Sequence, residues 1–160
     1  MERQFHIMRE NRAVFIRLIE ELTIEQLNEI PEGFNNNIAW NFNHMVVIPQ
    51  FLNYIKAGVP LTIPKERLEK YARGTRPEGF ISQLEIDYYK DLALKIVDQL
   101  EEDWNAGKLN NYEAFKTSMG VNIENSTDAL HYVVTHDFFH VGYASAQRKL
   151  VLAKATTISI

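Results

Sequence analysis

The chain has no cysteine. Disulfides, thiolate metal sites and a cysteine nucleophile are therefore excluded, and a bound metal would have to rest on histidine, carboxylate or water. Positive charge is not in excess either. The 17 Lys and Arg against 21 Asp and Glu give a formal net charge of −4, so the basic footprint of a nucleic-acid partner is missing. No stretch approaches the roughly 18 uninterrupted apolar residues of a membrane span, and no membrane partner is expected. The opening residues, Met1-Glu2-Arg3-Gln4-Phe5-His6, lack the apolar core of a signal peptide, which makes a cytoplasmic protein the expectation. Internal repeats, low-complexity segments and blocks of like charge are absent.

What is present is an ordinary globular composition, 46% apolar and 24% charged over 160 residues, which predicts a single domain spanning 1–160. Residues 2 to 22 carry Phe5, Met8, Phe15, Ile19 and Leu22 at steps of three, four and seven, the period of a helix with one buried face. Arg12 falls on that stripe, where its guanidinium either snorkels to the edge of the core or meets a buried polar site. Thr23-Ile24-Glu25-Gln26 forms a capping box at the start of a short helical turn. Pro31, Gly33 and Asn35-Asn36-Asn37 then break the chain, and one of the asparagines caps a second helix from about 37 to 57. Its inner face reads Asn37, Trp40, Asn41, His44, Val47, Ile48, Phe51 and Ile55, and Pro49 within it predicts a kink or a weakened turn.

Residues 58 to 79 hold Pro60, Pro64, Gly74 and Pro77 and make a long link, with one helical turn at Lys65–Tyr71. About 20 extended residues span more than 60 Å, against about 30 Å for a helix of that length, so the link can cross a bundle and let helices two and three run parallel. The third helix, at about 80 to 103, places Ile81, Leu84, Tyr88, Leu92, Ile96 and Gln99 or Leu100 along one side. Residues 108 to 124 read as loop with a short extended piece at Tyr112–Thr117. Asn125 caps the last helix, Asp128 suits its first turn, and the helix runs to about Ala153. The tail, Ala155 to Ile160, has no clear state. Four long amphipathic segments with little strand signal define an all-α, antiparallel-type helical bundle.

His136 and His140 lie four apart on the last helix, within about 40° of each other, the spacing at which two imidazoles chelate a metal. A two-histidine chelate is incomplete, and His44, centred on the inner face of helix two, supplies the third ligand. The inner face of the last helix reads Ala129, Tyr132, Val133, His136, Phe139, His140, Tyr143, Gln147 and Leu150. Three core-facing histidines are costly unless hydrogen bonds or a metal satisfies them. His131 and His6 fall off these faces and are assigned to the surface. A three-histidine site keeps positions open for water or substrate, and imidazole suits zinc, nickel, iron and copper alike. Asp137 points about 100° away from His136, a poor direction for a ligand, and no Asp or Glu shows on an inner face as a general base. Tyr143, Asn41, Gln147 and Asn37 share the ligand stripes, with Tyr143 or Asn41 expected beside the metal's water or the substrate. A second strip, Val134, Phe138 and Val141 beside small Gly142 and Ser145, predicts a homodimer contact, the alternative being that the N-terminal segment or the link at 58–79 covers it within one chain.

Two motifs, Ile38-Ala39-Trp40-Asn41-Phe42-Asn43-His44 and His136-Asp137-Phe138-Phe139-His140-Val141-Gly142, resemble those of the DinB-like (DinB/YfiT) superfamily. Its members carry a histidine in helix two shortly after a tryptophan, and a late H-x-x-x-H-x-G. The order of elements agrees over nearly the whole chain, the long link included. The resemblance implies an up-down-down-up four-helix bundle with a long crossover between helices two and three, a divalent metal (zinc, nickel or iron) on His44, His136 and His140, and frequent homodimers. Characterised relatives include thiol S-transferases and a mycothiol-dependent isomerase, which implies a low-molecular-weight thiol cofactor and a small-molecule substrate. The family often has Gln after the glycine, whereas this chain has Tyr143, so the substrate contact differs. Three functions stay open. One is a metal-dependent transferase or hydrolase, with activated water or thiol as nucleophile. Another is a non-catalytic metal-binding or stress-related interaction protein, and the last a bundle with purely structural histidines.

Overall fold

The computed structural model describes residues 1–158. Its elements are α1 (Glu2–Glu20), α2 (Ile24–Asn28), α3 (Ile38–Pro49), α4 (Lys65–Lys70), α5 (Gln83–Asn105), β1 (Phe115–Lys116), β2 (Asn122–Ile123) and α6 (Ser126–Ile158). The chain is mostly helical, and the residues Ala155 to Ile158 of the undecided tail continue α6, while 159–160 lie outside the described residues.

Side-chain caps start the helices as the residue types require. The Thr23 hydroxyl accepts from Gln26 N while the Gln26 side chain accepts from Thr23 N, closing the capping box of α2. Of the three consecutive asparagines, Asn37 caps α3, its Oδ1 accepting from Trp40 N at 2.8 Å. Asn125 Oδ1 accepts from Asp128 N at 2.9 Å at the start of α6.

Every residue of α3 from Ile38 to Pro49 is buried, so this helix is enclosed on all sides rather than one-faced. Pro49 has no N–H to give the Met45 carbonyl four residues back. The weakened turn expected there takes the form of a π-helical turn, Gln50–Ile55. The carbonyl it frees is claimed from another helix, by Arg12 Nη2 at 3.3 Å. Ile55, placed on the inner face by its spacing, is exposed.

Two expected stripes need correction. On α5, Leu84 is 82% exposed and Tyr88 also faces solvent, whereas Ile86, Tyr89, Ala93, Ile96, Val97 and Leu100 are buried. Each step of four residues overshoots a turn by about 40°, so a line drawn from Leu84 through Tyr88 and Leu92 to Ile96 winds about 120° around the helix. On α6 the buried line is Leu130, Val133, Asp137, Val141, Ala144 and Val151, while Phe139 and Leu150 are exposed. The centre of the face is rotated from His136 towards Asp137, which leaves the histidines at its edge. The second strip on α6 is not continuous either. Val141 is buried within the chain, and Val134 is partly covered by the second apolar cluster, with Asn11 Nδ2 donating to its carbonyl at 3.3 Å.

α1 and α3 both pack on α5 and α6, and they also touch each other. Phe15 and Phe42 meet edge to face at 5.2 Å in one apolar cluster, while Phe5, Met8, Leu100 and Val133 join a second. β1 and β2, of which only the first was foreseen, pair antiparallel as a short ribbon before α6. Among the described residues no helix is long and apolar enough to cross a membrane.

Candidate metal centre

His44, His136 and His140 converge, each offering one ring nitrogen, with the three nitrogens within 4.8 Å of one another. α3 and α6 bring them together because Asn41 and His44, one turn apart on α3, face His140 and His136 on α6. The Nε2 atoms of His44 and His136 are 3.3 Å apart. Two donors on a tetrahedral ion with bonds of about 2.0–2.1 Å would be separated by about as much.

The tautomers follow from backbone carbonyls, which only accept. The Tyr71 carbonyl lies 2.6 Å from His44 Nδ1, so Nδ1 carries the proton and Nε2 presents a lone pair inward. For His140 the chain of reasoning is longer. Gln147 Nε2 donates to Asn36 O at 2.6 Å, which turns Gln147 Oε1 towards Asn41. Asn41 Nδ2 donates to that oxygen at 2.9 Å and to Asn37 O at 3.0 Å. Asn41 Oδ1 is left to accept from His140 Nδ1 at 3.0 Å, and His140 Nε2 is left bare. Bonds of this kind orient metal-ligating histidines. His136 Nδ1 is buried and has no hydrogen-bond partner among the described residues.

Burial pushes all three histidines towards the neutral form. It lowers His44, against the opposing pull of its bond to the Tyr71 carbonyl. It drives His136 well below the usual range, helped by His140, His44 and Arg12. It takes His140 down to about 3, with His44 adding to the effect. Two imidazoles with inward lone pairs, beside a third whose Nε2 faces them and whose tautomer no hydrogen bond at Nδ1 fixes, are a donor set that fits a divalent cation.

The histidines form part of the wall of a cavity of about 1310 Å³ that opens to solvent. Trp40 stacks on His44, with ring centroids 4.9 Å apart. Tyr143 also lines the cavity, its ring edge-on to Phe34 at 5.0 Å and stacked against Phe139 at 6.0 Å. Of the four polar residues on the ligand stripes, Asn41 touches a candidate ligand directly and Gln147 acts behind it. Asn37 does neither: its Oδ1 caps α3, its Nδ2 donates to Asn28 O at 3.1 Å, and it does not line the cavity. His131 is exposed, 3.3 Å from Gln4 Nε2, and His6 is exposed on α1.

An inner-face carboxylate does exist, contrary to expectation. Asp137 is fully buried and pairs with Arg12 Nε at 3.2 Å. Burial pushes its carboxyl up to about 6, although Arg12 pulls the other way. The sequence carries one sign of this pair, Arg12 sitting on an apolar stripe. The Tyr71 and Asn36 carbonyls left no sign, because a backbone acceptor can come from any residue type.

This is a helical protein in which three neutral histidines from two helices meet at the wall of an open cavity. The sequence profile of the DinB superfamily matches residues 7–144, most of the chain, and the chain belongs to that superfamily. No curated protein matches it.

Proposed function

We propose that the chain is a divalent-metal-dependent enzyme acting on a small molecule, by thiol transfer or hydrolysis, with His44, His136 and His140 as the metal ligands. The observation that carries this reading is the cluster of three neutral histidines at the wall of an open, ligand-sized cavity. A sealed cluster would suit a storage or structural site, whereas this one keeps access for a reactant. A zinc, nickel or iron ion held there would polarise an oxygen or sulfur donor of a substrate or of a low-molecular-weight thiol. The chain's own part is positioning. The Tyr71 carbonyl and the Asn41 side chain hold the Nδ1 protons of His44 and His140 and so fix both rings. Trp40, stacked on His44, and Phe139, edge-on to His140, flank the two rings.

We read the scaffold as one four-helix bundle domain, up-down-down-up in α1, α3, α5 and α6. In support, Arg9 meets Asp98 while Glu20 meets Lys90, which fits α1 and α5 antiparallel. Gln4 meets His131 and Glu21 meets Arg148, which fits α1 and α6 parallel. Asn41 bonds Gln147 while His44 approaches His136, which fits α3 and α6 antiparallel. We also read the protein as a homodimer joined through Phe138, which stays 67% exposed on α6 beside Gly142.

The test is turnover. Metal-loaded protein is mixed with a low-molecular-weight thiol and an electrophilic aryl halide, and in parallel with activated esters. The reading expects product formation that needs the metal and disappears in His140→Ala. Rates equal to those of metal-free protein in both assays would contradict it.

A further inference from the structure

The cavity extends well beyond the histidines. Along α6 its wall runs from Asp128 to Tyr143, about 22 Å at the rise of a helix. The histidines occupy the half nearer Tyr143. The other half, from His136 to Asp128, is about 12 Å long. Its walls are mostly apolar: Ile48, Phe51 and Leu52 from the end of α3 and the π-helical turn, Phe115 and Ile123 from the ribbon, and Tyr132 from α6, with polar Asp128, His131 and Thr135 along the same helix.

These walls are held in place. Phe51 and Phe115 pack edge to face at 5.9 Å, which joins the π-helical turn to β1. Tyr112 Oη donates to Leu52 O at 2.7 Å, and Glu113 N donates to Lys56 O at 2.6 Å, so the segment leading into the ribbon is fastened to the same turn. At the mouth, Ile55, Met119, Val121 and Phe139 line the cavity and are also among the exposed large apolar side chains. Apolar surface left in water around a cavity marks a binding site for an apolar group.

We propose that this half of the cavity binds the linear apolar part of a ligand, an alkyl or acyl chain of medium length, whose polar head is held at the histidines. The proposal rests on the metal reading for the head group, and on the apolar walls for the tail. The preferred substrates are therefore amphipathic. Their affinity is set by chain length up to the point where the arm at Asp128 is filled.

Titration calorimetry on zinc-loaded protein with acetohydroxamate, hexanohydroxamate and decanohydroxamate tests this. All three carry the same metal-binding head and differ only in the tail. Each added methylene that enters the arm should tighten binding about two- to fourfold. Ile55→Asp, a change at an already exposed position, should weaken decanohydroxamate at least about tenfold and leave acetohydroxamate unchanged. If acetohydroxamate binds but the longer members bind no tighter, the apolar-arm proposal is overturned while the metal site stands. If the protein takes up no zinc, the metal reading fails and the head-group half of this proposal fails with it.

Discussion

Arg12 and Asp137 form an ion pair at 3.2 Å with no exposed surface on either side chain. The same guanidinium donates to Ala93 O at 2.6 Å and to Met45 O at 3.3 Å, so one side chain of α1 touches α3, α5 and α6. Asp137 is the neighbour of His136, and the pair therefore fixes α6 at the point where the histidines begin. Removing either partner alone should cost about 3–5 kcal/mol, because the other is left buried without its counter-charge. Replacing both, Arg12→Met with Asp137→Leu, should cost clearly less than the sum of the single changes. Urea denaturation of the three variants checks this, and additive losses would show that the two groups are not coupled.

Asn41 holds His140 by Nδ1 and is itself held by Gln147. Asn41→Ala should weaken metal affinity about 10- to 100-fold, the usual effect of losing the partner of a ligating histidine. Gln147→Leu should act in the same direction and by less, since it removes only the support behind Asn41. Competition with a chromophoric chelator measures both. Wild-type affinity in Asn41→Ala would mean that the His140 tautomer needs no such partner.

The depressed histidines set a pH dependence for the metal-free protein. An unfolded chain takes up protons on histidine near about 6.5. The folded chain resists until far lower, down to about 3 for His140. Between these values the unfolded state binds more protons, so acidification favours unfolding. Stability should be intact above about 6.5 and be lost steadily as pH falls towards the folded values. His140→Gln should flatten that slope in urea titrations run at successive pH values. In the metal-loaded protein, protons compete weakly for the ring nitrogens, so metal should stay bound below pH 6.5 for as long as the fold survives. Release beginning near about 6.5 from a still folded protein would contradict the depressed values.

Phe138 is the exposed part of an apolar strip in which Val141 is buried and Val134 partly covered within the chain. Phe138→Glu should convert a dimer into a folded, metal-competent monomer, as read by sedimentation velocity and circular dichroism. A wild-type protein that sediments as a monomer would end the dimer reading.

The sequence made the cluster of three histidines legible through a repeat of four residues on one helix and one centred histidine on another, because side-chain direction on a helix depends on spacing. It made the caps at Thr23, Asn37 and Asn125 legible for a related reason, since capping is local. The buried faces of α5 and α6 were harder. Following Leu84, Tyr88 and Leu92 chose large residues, while the packing uses Ala93 and Ala144, where small side chains let helices approach. The buried role of Asp137 was missed because a carboxylate counts as polar until its partner is known, and Arg12 is remote in sequence. The ribbon was legible only at β1, where Tyr112–Thr117 reads as extended, since each strand is just two residues long.

The most direct test of the account is elemental analysis of untagged protein purified without chelator, on the wild type and on His44→Ala, His136→Ala, His140→Ala and His131→Ala. The account predicts one divalent metal per chain in the wild type and in His131→Ala, and a sharp loss in each of the other three. Equal loss from His131→Ala, or full metal content in any of the three cluster variants, would contradict it.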